Sequence, residues 1–250
     1  MLTIIHFSAA AKPTPLSRRQ RGLSLVELMV GITIGLFVVA AASLVVTSQL
    51  TDNRRMLLEL QVQQDLRATA DVITRELRRA GGRELAANGV WSETIPAAAN
   101  PFGTITLTSG NSEVRFDYER GIGLAPLGFK FVRDSSTGNV GVIQSHIGTG
   151  WQDLTDKSTM DVTNFTVKPL SAAIPPRPEI KEVIPCPEVC PTGTFNSCWP
   201  RLNVRAYVVT IEARARTDSR VQRRLQSEVR LRNDVFEFGT GLSAAQPCPA

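Results

Sequence analysis

The spacing of apolar residues changes twice along the chain, and each change marks a different kind of element. Residues 23–51 are apolar at almost every position, and residues 28–51 carry no charge at all. As one helix that uncharged run is about 36 Å long, enough to cross a hydrocarbon core of about 30 Å. Between residues 52 and 82 apolar positions recur at intervals near three and four, with Met56, Leu60, Leu66, Ala70, Ile73, Leu77 and Ala80 as the stripe. That is the signature of an amphipathic helix with one face on a core. Asp65, Arg67, Asp71, Arg75, Glu76, Arg78 and Arg79 take the wet sides, the last cations sit where they complement the helix dipole, and Gly81-Gly82 ends the element. The two patterns join without a breaker, so they predict one continuous helix.

Beyond a connecting loop at 83–101 the period falls to two. Residues 104–108 and 114–118 alternate around a turn at 109–112, a hairpin pattern. Residues 129–132 and 140–145 repeat it around 134–139, a loop rich in oxygen donors. That loop lacks the acids and the terminal Glu of a strong calcium loop, so it reads as a plain turn. Residues 161–168 form a further strand closed by Pro169. Residues 202–215 and 221–232 read as two long strands joined at 217–219. Val204, Ala206 and Val208 share one face, and Leu225, Val229 and Leu231 another. Between these, residues 171–200 are too rich in proline for a helix or a central strand. The carboxylates Asp117 and Glu119 fall on one face of a strand, where solvated charges are common. The fold class this predicts is α+β: a long N-terminal helix packed on an antiparallel sheet. The expected organisation is a leader at 1–22, a membrane segment at 23–51, its amphipathic continuation at 52–82 and a β-rich domain at 83–250.

One acid breaks the apolar pattern. Arg18, Arg19 and Arg21 form a basic cluster that ends at Gly22, Leu23 opens the apolar run, and Glu27 lies five residues past the glycine. A carboxylate in the first turn of a membrane helix costs a few kcal/mol unless it is paired, which marks it as functional. Cleavage after Gly22 would give Leu23 an ammonium group one helical turn from Glu27, and the two could neutralise each other within a chain or between neighbouring helices. Gly31 and Gly35 form a small-xxx-small pair that lets another helix approach closely. An ordinary membrane anchor would show the same apolar run and positive flank without needing Gly22 or Glu27. A secretory signal would be cut beyond the apolar region, at 40–43.

Together these residues resemble the class III signal of type IV prepilins: a short basic leader, Gly before the cut, a hydrophobic residue after it and Glu at the fifth mature position. Within that family the run Arg-Gln-Arg-Gly-Leu-Ser-Leu-Val-Glu-Leu-Met-Val is most similar to minor pilins of the PilW type. It departs from most major pilins in having Leu23 where they have Phe. Residues 75–82 are also similar to the helix end of PilW-like and J-type pseudopilin chains. The resemblance implies a minor pilin that helps initiate type IV pilus assembly near the fibre tip. Gly22 and Leu23 would be the prepilin peptidase cleavage site, Leu23 the N-methylated residue and Glu27 the group that sets register between subunits. Its implied partners are prepilin peptidase, other minor and major pilins through the N-terminal helix, a tip adhesin and the inner membrane, and the sheet domain would be periplasmic before it joins a surface fibre. A type II secretion minor pseudopilin of the J type shares every one of these features. A single-pass envelope protein that binds a ligand and never assembles is the alternative from another class.

Charge and cysteine content sharpen this without changing it. The chain carries a net +5, but Lys12, Arg18, Arg19 and Arg21 in the leader supply most of it. The remaining basic cluster, Arg214, Arg216, Arg220, Arg223 and Arg224, is expected on the outer face of the sheet. With few aromatics and no nucleic-acid module, binding to nucleic acid is not expected. Cys186, Cys190, Cys198 and Cys248 lie in the C-terminal third, and an even count outside the cytoplasm favours two disulfides over a metal site. With only His146 after the leader, His-based triads and multi-His metal sites are excluded, no cofactor is implied, and the chain is expected to be an enzyme's substrate rather than an enzyme.

Overall fold

The computed structural model describes residues 22–84, 100–120, 126–147, 150–173, 175–178, 180–183 and 201–237. Cys186, Cys190, Cys198 and Cys248, the leader arginines and most of the loop at 83–101 lie outside them. The chain divides into two compact units, Met1–Asp52 and Asn53–Ala250. A single helix, α1 (Leu25–Arg79), runs through the boundary.

In the second unit α1 packs on antiparallel sheets, which makes the fold α+β. Five strands, β1 (Thr106–Thr108), β2 (Glu113–Phe116), β3 (Leu127–Asp134), β4 (Val140–His146) and β5 (Trp151–Asp153), follow one another in space as in sequence. A second sheet has the order β10-β9-β6, from β6 (Met160–Pro169), β9 (Ala206–Ala215) and β10 (Gln222–Arg230). A third has the order β11-β8-β7, from β7 (Ile180–Val183), β8 (Arg201–Val204) and β11 (Val235–Glu237). Among the described residues every strand pairing is antiparallel.

The core joins α1 to the first two sheets. Val62, Leu66, Ala70, Ile73, Leu77 and Ala80 from α1 meet Phe116, Phe129 and Ile143, and also Phe165, Val209 and Ile211. Burying a side chain such as Ile73 or Leu77, both 0% exposed, contributes roughly 1.5–3 kcal/mol. Two positions of the expected stripe are not in this core. Met56 is 62% and Leu60 49% exposed, and the packed face instead begins with Leu58 and Val62. At about 100° per residue, Leu60 lies roughly 120° around the helix from Leu66. Spacings of six and ten between apolar residues therefore do not continue the same face.

The end of α1 is held by its carbonyls. Gly81 takes a left-handed conformation, φ +75, as helix-terminating glycines do, and its amide donates to the Asp117 carbonyl at 2.8 Å. The carbonyls of Arg78 and Ala80 accept from the Arg232 amide and the Asn233 side chain, both at 3.1 Å, and that of Gly81 accepts from Asn100 at 2.7 Å. Tyr118 reaches back to Glu76 at 3.0 Å beneath the Arg79 guanidinium. Burial, then the Glu76 carboxylate, pushes the Tyr118 phenol up from its ordinary value. The orphan carbonyls that every helix end presents are thus satisfied by the loops around it.

Several sequence expectations shift here. Residues 202–215 are two strands in different sheets, β8 and β9, separated at Arg205. Tyr207, Val209, Ile211, Ala213 and Ala215 are the core-facing set of β9, whereas Val208 lies on the opposite face against Ala173 and Thr210. The Pro-rich stretch contains β7, which is an edge strand and so needs no second ladder. Strand β2 stops at Phe116, leaving Asp117 to pair with Arg120 at 2.9 Å and Glu119 to accept from the Glu84 amide. Arg223 is not on the outer face: it shares the inward side of β10 with Leu225 and Val229 and pairs with Glu59 of α1. Arg214 and Arg224 are matched by Asp161 at 2.6 Å and Glu212 at 3.4 Å.

In the turn after β3, Asp134 accepts from the Ser136 amide at 2.9 Å and holds Lys157 at 2.8 Å. Lys157, with Ser136, holds the Asp134 carboxyl well below the usual carboxylate range. Because the folded value is depressed, this contact contributes stability above the ordinary Asp value of about 3.9 and loses it as pH falls towards the folded value. Carbon-detected NMR titration should find Asp134 still ionised near pH 3, and Lys157→Ala should move its midpoint upward. An unchanged midpoint would show that the lysine is not the cause.

Candidate processing and assembly site

The site occupies the first unit. Gly22 is exposed, and a Cβ added to it would meet no atom within 4 Å. Leu23 is 73% exposed. The helix begins at Leu25, and the Leu28 amide donates to the Ser24 carbonyl at 3.1 Å. Ser24 therefore stands at the N-cap and Glu27 at the third helical position. The Ser-x-x-Glu spacing is a capping-box signature, a second local signal at the position of the membrane acid.

Three effects converge on Glu27. At the head of α1 its carboxylate complements the partial positive charge of the unpaired amides. A cut after Gly22 would place an ammonium on Leu23, four residues upstream. Among the described residues Glu27 has no hydrogen-bond or ion-pair partner within the chain, and Gly31 and Gly35 likewise have nothing within 4 Å of a built Cβ. This face is open to another helix.

The rest of the segment suits a membrane. Residues 25–50 are exposed throughout, including Phe37 at 78% and Leu44 at 75%. Four hydroxyls inside the segment are satisfied locally: Thr33 donates to the Val30 carbonyl at 2.9 Å, Ser43 to Val39 and Thr47 to Ser43 at 2.8 Å, and Thr51 to Thr47 at 3.0 Å. A polar group in lipid must find its partner within the protein, and these do so without a second chain. Helix α1 is the one described helix long and apolar enough to cross a membrane.

Basic leader, glycine, acid at the third helical position and apolar helix together define a membrane-anchored prepilin-type chain, and residues 17–43 match the prokaryotic N-terminal methylation motif. Residues 55–231, most of the chain and nearly all of the second unit's described elements, match prepilin peptidase-dependent protein B. The chain belongs to that family. Searches against curated proteins and solved structures return no match.

Proposed function

We propose that this chain is a minor pilin of the PilW type, incorporated into type IV pili and helping to initiate their assembly near the tip. The observation that carries the reading is the arrangement at the head of α1: an accessible Gly22–Leu23 bond followed by an unpartnered Glu27 at the third helical position. Prepilin peptidase cuts after Gly22 in the membrane and methylates the new amine of Leu23. The methylated ammonium and Glu27 then set the register against a neighbouring pilin helix, and Gly31 and Gly35 let that helix come close. The sheet domain faces the periplasm before assembly and the fibre surface afterwards, where a tip adhesin is its implied neighbour. The long Pro- and Cys-rich segment favours the pilus over a J-type secretion pseudopilin, and its cysteines form disulfides in that oxidising compartment. The chain performs no catalysis.

Intact-mass and N-terminal peptide spectrometry of the protein from its own membranes tests this directly. The expected chain starts at Leu23 and carries a methyl group. A chain retaining residues 1–22 would refute the reading, and co-purification with secretion components rather than pilins would shift it to the secretion pseudopilin.

A further inference from the structure

The face of the β10-β9-β6 sheet that points away from the core carries a small cavity of about 130 Å³, closed on one side by Ala172 and Ala173 just after β6. Clefts that take a drug-sized molecule run to about 300–1,000 Å³, so this one admits only a small solute. Strand register sets its composition. Thr166 of β6 and Gln226 of β10 both stand opposite Thr210 of β9, so three polar side chains cross the sheet in one row. Asn164 and Lys168 flank Thr166 on the same face of β6. None of these five side chains has a hydrogen-bond or ion-pair partner among the described residues. Thr210 decides the matter, because it is only 9% exposed and a buried hydroxyl ordinarily has a partner. Its hydrogen bond, like those of its neighbours, goes to the occupant of the cavity.

The charges on this face leave one cation over. Arg224, which also lines the cavity, is matched by Glu212 at 3.4 Å, and Glu228 is matched by Arg177 at 2.9 Å. Lys168 is half-buried and has no acid beside it among the described residues. All five unpartnered groups can donate: one ammonium, two hydroxyls and the amide NH2 groups of Asn164 and Gln226. A neutral solute would satisfy the hydroxyls and amides and leave Lys168 unmatched. A compact anion with an oxygen on every side uses all of them, and hydrogen bonds to an ionised acceptor are about twice as strong as neutral ones.

We propose that this cavity binds inorganic phosphate. Lys168 supplies the charge, the hydroxyls of Thr166 and Thr210 donate from the middle of the sheet, and the amides of Asn164 and Gln226 donate from either side. The ion bridges β6, β9 and β10, and a ligand held by the folded sheet alone adds to its stability.

Calorimetry with the full-length protein in non-ionic detergent micelles, titrated with sodium phosphate in a constant sodium chloride background, reads the affinity. A saturable one-site isotherm is expected. Thr210→Val removes the hydroxyl and Lys168→Met the charge at nearly constant volume, and each should weaken binding at least about tenfold. Arg67→Gln, on an exposed side of α1, should leave it unchanged, and circular dichroism should be the same for all three. The side-chain amide resonances of Asn164 and Gln226 in the unsubstituted protein should move with the same affinity, which locates the ion even where a variant folds poorly. No saturable binding, amide resonances that stay in place, full affinity in a folded Thr210→Val or Lys168→Met, or an equal loss in Arg67→Gln would each overturn the proposal.

Discussion

Glu27→Ala should be cut after Gly22 and methylated at Leu23 as efficiently as the native chain, yet be absent from sheared fibres. Cleavage needs an accessible Gly22–Leu23 bond, and Glu27 makes no contact that holds that bond in place; Gly22 has no neighbour within 4 Å of a built Cβ. Incorporation differs, because it carries the new ammonium of Leu23 into a low-dielectric helix bundle. Removing one partner of a buried ion pair costs about 3–5 kcal/mol, which is at least about a hundredfold in occupancy. Glu27→Gln can still accept a hydrogen bond from the ammonium but loses the charge and should fail nearly as badly, whereas Glu27→Asp should recover part of the wild-type level. Immunoblots of fibre and membrane fractions read both effects. Normal incorporation of Glu27→Ala would remove the pairing role from Glu27 and leave it only its interaction with the helix dipole, about 0.3–1 kcal/mol.

Gly141→Ala should unfold the sheet domain or leave it barely folded. A Cβ at this position would lie 1.8 Å from the Val162 carbonyl oxygen and 2.8 Å from the Phe131 ring. The first is backbone and cannot turn away. Here β4 crosses β6 where the β6 register shifts between Val162 and Asn164, and the Gly141 amide donates to the buried Asp161 carboxylate at 2.7 Å. Asp161 in turn holds Arg214 of β9, so one glycine and one acid fasten the two larger sheets together. Relieving the clash would separate β4 from β6 and leave that carboxylate without its amide. A loss of at least about 3 kcal/mol is expected, and thermal unfolding should shift down by roughly 10 °C in a domain of this size. Gly150→Ala is the comparison, since a Cβ there meets nothing within 4 Å and the backbone is not left-handed. A Gly141→Ala midpoint within about 2 °C of wild type would show that the crossing relaxes cheaply.

The candidate site was legible because its parts are local. Gly22, Leu23 and Glu27 lie within six residues of one another, and their meaning depends on order along the chain and on the apolar run that follows. The Ser24-x-x-Glu27 spacing at the helix start is equally local and equally visible. The start of the packed stripe was misread, because Met56 and Leu60 are apolar at helical intervals while Leu58 and Val62 are the residues that meet the sheet. The break at Arg205 was invisible for another reason. Residues 202–215 alternate well enough for one strand, and only the buried guanidinium bound to Gly103 and Asn233 shows where the chain changes sheets.

What the chain determined by itself is the apolar segment, the amphipathic continuation to Gly81 and the α+β class, since each follows from period, charge and turn residues within a short window. Tertiary structure alone decided which face of β9 is inward, that Arg223 reaches Glu59, that Gly141 must lack a side chain and that Thr210 lines a cavity. These depend on contacts between residues far apart in sequence, where local periodicity carries no information and close packing makes the choice.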